Sequence, residues 1–334
     1  MPTIREVAQK AGVSYTTVSH VINNTRRVST PVRERVLAAM QELGYRPNAL
    51  ARSLRRGETK TIGLILPDSA NPFFAEVGRA IENAAFRSQY SVILCNTEGD
   101  QAKERVYTEV LQNKQVDGLI FIAAGDQPDA LQEIAARGLP VVVIDRDCGQ
   151  LELDTVITDN LSGGRQAGSH LAQIPNLRAA CITGPSNLTP SAQRFVGFQQ
   201  ALQKANIELR EEWVLRGDFH PHSGYQAALH WLKAAQRPNA IFCCNDMMAI
   251  GVLRAAAELG VTVPQELEVI GFDDIELASY THPPLTTVAQ PKTQIGETAV
   301  RLLLERIADV WLPARREILP TTLIIRKTTH EEKP

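Results

Sequence analysis

No apolar run in this 334-residue chain approaches the ~20 residues that a membrane-spanning helix needs. The start, Met1-Pro2-Thr3-Ile4-Arg5, lacks the apolar core of a secretory signal. Both absences point to a cytoplasmic protein with no membrane partner. Cysteine is scarce: Cys95, Cys148, Cys181, Cys243 and Cys244 are an odd set without metal-ligand spacing. They sit in or beside apolar, β-rich runs, so buried free thiols are expected. There is also no Gly-rich phosphate loop, metal-ligand cluster or nucleophile elbow. These gaps predict no catalytic residues, no metal and no cofactor.

What is present is unevenly charged. The formal net charge is −2, yet residues 1–60 hold eleven Lys/Arg against four Asp/Glu, and the remainder holds 24 against 33. A basic head on an acidic body suits a polyanion partner for the head alone, although a solvated charged face would give the same count.

The first 60 residues read as short helices. Thr3 and Glu6 have capping-box spacing, with Ile4, Val7, Ala8 and Ala11 on one face until Gly12 breaks the helix. Val13 plugs the turn, and Ser14 caps a second helix running to about Ile22. Ser29-Thr30-Pro31 starts a third, with a hydroxyl cap and Pro at the first helical position, and Gly44 ends it. Two helices joined by a tight Gly turn and covered by a third form the helix-turn-helix plan. Pro47 stops the chain, and Asn48 can cap a short helix from Ala49 to Arg56. Such a helix is too short to be stable alone in water and needs a partner.

From Thr61 the pattern changes to strands alternating with helices. Candidate strands are Ile62–Leu66, Ser91–Asn96, Gly118–Ala123, Val141–Asp145 and Thr155–Thr158, then Ala179–Thr183, Trp213–Arg216, Ala240–Asn245 and Glu268–Phe272. Continuous apolar strands separated by helices mean parallel, doubly wound sheets, and nine strands suit two sheets better than one. The chain should cross between lobes near Asp159–Ser162, near Gln290–Thr293 and near Thr322–Leu323. The expected parts are a head (1–46), a hinge helix and linker (47–60), a first lobe (61–160 and 292–322) and a second lobe (161–291 and 323–334).

Ligands of open parallel sheets bind beyond the carboxyl ends of the strands. The residues there form a coherent set: Asn71, Phe73 and Phe74 after the first strand, Asp145 and Arg146 after the fourth, then Arg194, Phe219, Asn245, Asp273 and Gln290. Carboxylates, amides and arginines exchange hydrogen bonds with vicinal hydroxyls, and flat rings cover apolar C–H faces. That is the chemistry of a sugar site. Singly, each residue has a plainer reading as core, helix cap or surface.

Three stretches carry a family resemblance: Thr3-Ile4-Arg5-Glu6-Val7-Ala8, Ala11-Gly12-Val13-Ser14 and Thr17-Val18-Ser19-His20-Val21-Ile22-Asn23. With Pro47-Asn48-Ala49-Leu50-Ala51-Arg52-Ser53-Leu54 they make the chain resemble the lac/galactose repressor family over essentially its whole length. Leu94-Cys95-Asn96-Thr97-Glu98-Gly99-Asp100, Gly217-Asp218-Phe219 and the run from Asp273 to Ser279 resemble ribose repressors first and purine repressors next. The strand-end set is similar to the ribose-contacting set of periplasmic ribose-binding proteins. Purine repressors, and some ribose repressors, carry an aromatic residue where this chain has Arg146.

The resemblance implies a helix-turn-helix head on an α/β core of two doubly wound, periplasmic-binding-protein-like lobes. It implies a homodimer on a near-palindromic double-stranded operator, with a small sugar as inducer or, alternatively, a purine as corepressor. Tyr15, Thr16, Thr17, His20 and Asn23 belong to the recognition helix. Ala51, Arg52, Leu54 and Arg55 belong to the minor-groove hinge, with Leu54 as the wedge. Two rivals remain on the residues: a sugar-modifying enzyme using Asp273 or His220 as a base, and a free sugar-binding protein.

Overall fold

The computed structural model describes residues 2–45, 58–122, 137–146, 151–185 and 189–330, with Leu131 and Ile134. It divides into two compact units, Met1–Thr59 and Lys60–Pro334.

The first unit holds α1 (Ile4–Ala11), α2 (Tyr15–Asn23) and α3 (Thr30–Glu42). The Thr3 N–H donates to Glu6 Oε2 at 2.6 Å while the Glu6 N–H donates to Thr3 Oγ1 at 3.4 Å, which closes the capping box of α1. Gly12 takes φ 64°, where a side chain would be strained, and turns the chain toward α2. The Thr17 N–H donates to Ser14 Oγ at 3.1 Å. Ser29 stands at the cap of α3 but makes no side-chain cap bond, so the hydroxyl cap expected there is not formed; Pro31 alone shapes that start. Val7, Val18 and Val36 are wholly buried, with Val13 packed against them.

The second unit contains two six-stranded sheets. The first takes β1 (Thr61–Leu66), β2 (Ser91–Asn96), β3 (Gly118–Phe121), β4 (Val141–Ile144), β5 (Asp154–Thr158) and β11 (Arg316–Leu319), in the order β11-β5-β4-β3-β1-β2. All its pairings are parallel. The second takes β6 (Ala179–Thr183), β7 (Val214–Arg216), β8 (Ala240–Cys243), β9 (Glu268–Asp273), β10 (Thr286–Ala289) and β12 (Thr322–Ile324), in the order β12-β10-β9-β8-β6-β7. Here β12 runs antiparallel to β10, with Thr322 opposite Ala289.

The sequence reading had no place for β10, β11 and β12. Each is only three or four residues long and carries Thr, Arg or Glu, so none shows a continuous apolar run. β4 and β8 end before Asp145 and Asn245, which stand just beyond their strands.

Helices cover both faces: α4 (Pro72–Arg87), α5 (Gln101–Asn113), α6 (Asn160–Leu171), α7 (Thr189–Lys204), α8 (Pro221–Leu232), α9 (Asp246–Glu258) and α10 (Lys292–Ala308). With both faces covered, β3, β4, β5 and β8 are buried along their whole length. The buried Asp154 carboxylate binds β5 to α10 and to the approach to β11, accepting from Arg306 Nε and from Arg315 Nη2, each at 3.0 Å. Burial alone would raise its pKa, but the arginine donors hold it below the usual carboxylate value.

One close helix crossing positions part of the site. A Cβ on Gly164 would lie 2.1 Å from the carbonyl oxygen of Arg194, and one on Gly197 would lie 2.1 Å from that of Leu161. Only glycines let α6 and α7 approach this far, and α7 carries Arg194. Cys95, Cys181, Cys243 and Cys244 are buried free thiols, as their apolar setting implied; Cys148 lies outside the described residues. No helix among the described residues is long and apolar enough to cross a membrane.

Candidate functional site

The carboxyl ends of the two sheets bring most of the strand-end residues together. Asn71, Phe73 and Phe74 come from the start of α4, Asp145 and Arg146 from the end of β4, and Arg194 from α7. With Phe219, Asn245, Asp273 and Pro190 they line one small cavity of about 30 Å³. Asn71, Phe74, Arg146 and Phe219 also line a larger outer cavity of about 430 Å³, together with Asp68, Glu98, Asp218 and His220. Gln290 stands behind this wall rather than in it. Its Nε2 donates to Asp273 Oδ1 at 2.8 Å and its Oε1 accepts from Thr158 Oγ1 at 2.7 Å, which joins β5 of the first sheet to β9 of the second.

Several of these side chains are already partly committed. Asn71 Oδ1 accepts from the Phe73 N–H at 3.0 Å and caps α4. Asn245 caps α9 through Met248 and donates from Nδ2 to the Phe219 carbonyl at 2.9 Å. That bond holds Phe219 at φ 68°, a left-handed conformation that a Phe does not adopt unaided. Asn245 therefore acts on the cavity mainly by orienting Phe219. The Phe73 and Phe74 rings meet edge-on, with centroids 5.2 Å apart.

The two arginines differ. Arg194 is engaged through two of its nitrogens: Nε donates to Asn160 Oδ1 at 2.7 Å, Nη1 donates to the Cys244 carbonyl at 2.6 Å and to Asp273 Oδ1 at 3.4 Å, and the guanidinium lies over the Phe272 ring. Arg146 is equally buried, yet its Nε and Nη1 have no hydrogen-bond partner among the described residues. Its nearest charge is Asp145 Oδ2, 3.4 Å from Nε. A buried guanidinium left in this state is costly.

Burial pushes the Asp273 carboxyl up to about 6, against the opposing pull of Arg194, Gln290 and Lys292. Asp246 lies deeper, accepting from Thr287 Oγ1 at 2.5 Å and from the Ile275 N–H at 2.9 Å. Burial and the neighbouring Asp273 raise its pKa strongly. Asn160, the support of Arg194, stands two residues beyond β5, at the first lobe crossing, and is absent from the strand-end set read from the sequence. Among the described residues no group of three His, Cys, Asp or Glu side chains is placed to hold a metal ion.

In the head, Tyr15 and Thr16 are exposed at the start of α2 and His20 is half-exposed. Thr17 Oγ1 and Ser14 Oγ are hydrogen-bonded at 2.8 Å in the cap, and Asn23 Nδ2 donates to the Ser19 carbonyl at 2.9 Å. His20 Nδ1 and Thr25 Oγ1 are hydrogen-bonded at 2.9 Å. The exposed start of α2 thus offers Tyr15, Thr16 and His20, while Thr17 and Asn23 are turned to the helix itself. Ala51, Arg52, Leu54 and Arg55 lie outside the described residues.

Comparison with known proteins settles the family. Residues 3–48 match the lacI family of bacterial regulatory proteins, and residues 170–329 match a periplasmic binding protein-like domain. The HTH-type transcriptional repressor PurR of Pectobacterium carotovorum subsp. carotovorum (strain PC1) is 42% identical over 332 residues, covering 98% of this chain and 97% of that one. The chain belongs to the lacI family. It is a DNA-binding transcriptional repressor with a helix-turn-helix head on a two-lobed, periplasmic-binding-protein-like α/β core. The lac repressor dimer bound to operator and the anti-inducer ONPF superposes with a TM-score of 0.89 at 31% identity, covering 98% of this chain and 99% of that one. A lacI-family regulator from Enterococcus faecium with bound ribose gives a TM-score of 0.73 at 32% identity, covering 82% of this chain and all of that one. The sequence put ribose repressors first and purine repressors second; the PurR relatives side with the second.

Proposed function

We propose that this chain is an effector-responsive repressor that binds a near-palindromic operator as a homodimer and takes a small molecule between its two lobes. Tyr15, Thr16 and His20 face the major groove, and the hinge helix, with Leu54 as wedge and Ala51, Arg52 and Arg55 beside it, enters the minor groove. The lac repressor solved as a dimer on its operator supports the homodimer and the operator as its partner. Effector contacts to both lobes shift the balance between open and closed cores, and so change operator affinity.

For the effector, the site geometry favours a small polyhydroxyl compound, with a pentose such as ribose as its simplest form. The observation that carries this is Arg146, a buried guanidinium with two nitrogens unpartnered among the described residues and Asp145 beside it. Neighbouring hydroxyls supply the acceptors Arg146 lacks and donate to Asp145 and Asp273, while Phe74 and Phe219 cover the sugar faces. The ribose carried by the Enterococcus faecium regulator is in keeping with this.

The second reading is a purine acting as corepressor, and whole-chain likeness backs it better than ribose, because the PurR relatives share 42% identity over nearly their full length. On that reading Phe74 and Phe219 sandwich the base, and the acids around the outer cavity accept its N–H groups. Titrating the protein with ribose and with purine bases by calorimetry decides between them. Binding of ribose and not of the bases supports the pentose; the reverse result establishes the purine reading.

A further inference from the structure

Glu76 lies on α4, one turn beyond the residues that line the small cavity, and its carboxylate reaches across to the second lobe. Oε1 accepts the N–H of Glu276 at 3.0 Å, and Oε2 lies 2.9 Å from Lys292 Nζ. Glu276 opens the short 3-10 turn Glu276–Ser279 just after β9, and Lys292 opens α10. Lys292 Nζ also donates to the Asp273 carbonyl at 3.1 Å and to the Asp274 carbonyl. All three ammonium protons thus have acceptors on named atoms.

The corner beneath which Lys292 sits is strained. Asp273 takes φ 112° and Asp274 φ 52°, two successive non-glycine residues in left-handed backbone. Such a conformation persists only where the surroundings over-determine it. Lys292 binds both carbonyls of the corner, and Glu76 holds Lys292. The two side chains are only 18% and 15% exposed, so this pair is not the screened surface contact that contributes little. Glu76 does not line either cleft cavity, so its effect on a ligand is indirect.

We infer that Glu76 is a positioning residue for effector binding: from the first lobe it holds Lys292 under the Asp273–Asp274 corner and so fixes the Asp273 carboxylate in the cleft. Moving the first lobe, with α4 and α10 together, away from the second breaks the Glu76–Glu276 bond and draws Lys292 off the Asp273 and Asp274 carbonyls. An effector that touches Asn71 and Phe74 on one side and Asp273 on the other stabilises the same arrangement, so the two are thermodynamically linked. The inference rests on the reading of the cleft as an effector site.

The test uses the full-length protein and three variants, Glu76→Gln, Lys292→Met and the double substitution. Hydrogen exchange without any ligand is followed across residues 273–279, and affinity for ribose and for hypoxanthine is measured by calorimetry. Glu76→Gln should speed exchange at the Glu276 amide and lower affinity for whichever probe binds by about tenfold, the scale of one hydrogen bond to a charged group. The double variant should lose no more affinity than Lys292→Met does alone. Unchanged exchange across 273–279 overturns the inference whatever the effector is. Faster exchange with unchanged affinity, or losses that simply add, also overturns it. If the wild type binds neither probe, the effector reading fails on that result, and the exchange data still judge the strut separately.

Discussion

Arg194 Nη1 stands 3.4 Å from Asp273 Oδ1, with both side chains about 95% buried, so charges from α7 and β9 meet inside the cleft. Neither is isolated, because Asn160 and the Cys244 carbonyl also bind Arg194 and Gln290 binds Asp273. Arg194→Leu leaves the Asp273 carboxylate buried without its arginine. Removing one partner of a buried pair typically costs about 3–5 kcal/mol. Urea unfolding of the variant should show a loss on this scale, and calorimetry should show no effector binding. Wild-type stability with intact binding would mean that the pair is incidental.

Asp273 also makes effector binding depend on pH. Its folded pKa is raised to about 6, above the unfolded value, so the proton it retains stabilises the folded protein at low pH. That contribution is lost as pH rises through about 6. A sugar hydroxyl donating to Asp273 favours the ionised form and lowers this pKa. Pentose binding should therefore release protons near pH 6, and affinity should rise between about pH 5 and 7. Calorimetry in buffers of different ionisation heat reads the proton count directly; uptake, or no exchange, contradicts a carboxylate acceptor at Asp273.

The crossing of α6 and α7 gives a purely steric prediction. Gly197→Ala places a Cβ 2.1 Å from the Leu161 carbonyl oxygen, so the helices must part and carry Arg194 with them. A loss of about 1–3 kcal/mol is expected, with weaker effector binding. Gly78→Ala on α4 is the control: its new Cβ meets nothing closer than 3.7 Å. It should be neutral or stabilising by up to about 1 kcal/mol through helix propensity. Equal melting temperatures for both variants would contradict the close-approach account.

What could be read from the sequence divides along a physical line. Helix caps are local, so Thr3, Glu6, Gly12 and Ser14 were legible from spacing alone. Long apolar strands announce themselves, and their carboxyl ends then locate Asp145 and Asp273 without knowledge of the fold. The strands β10 to β12 are short and mixed in character, and only the sheet beside them makes them strands. The same holds for Asn160, Glu76 and Lys292, whose roles come from partners distant in the chain: Arg194 is 34 residues from Asn160, and Glu276 is 200 residues from Glu76. Ser29 shows the converse, a favourable cap residue whose side chain makes no cap bond. The effector class was the least legible feature, because polar strand-end residues suit both readings and only Arg146 separates them.

In the head, His20 should read a base. It is half-exposed on α2, and Thr25 fixes its ring through Nδ1. His20→Ala should relax preference at one position of each operator half-site, at a cost of ~1–3 kcal/mol for a specific contact. Binding selection from a random DNA pool checks this. An unchanged preferred sequence with uniformly weaker binding would make His20 a backbone contact instead.

The most direct test of the account is operator affinity with the cleft empty and filled. Fluorescence anisotropy with the operator recovered from that selection, at fixed salt, is compared in the absence and presence of saturating ribose and of purine bases. The account predicts that a compound binding the cleft changes operator affinity at least several-fold, that ribose lowers it if the pentose reading holds and a purine raises it if the second does, and that Arg194→Leu abolishes the response without abolishing DNA binding. Operator affinity that stays the same with every cleft-binding compound would contradict it.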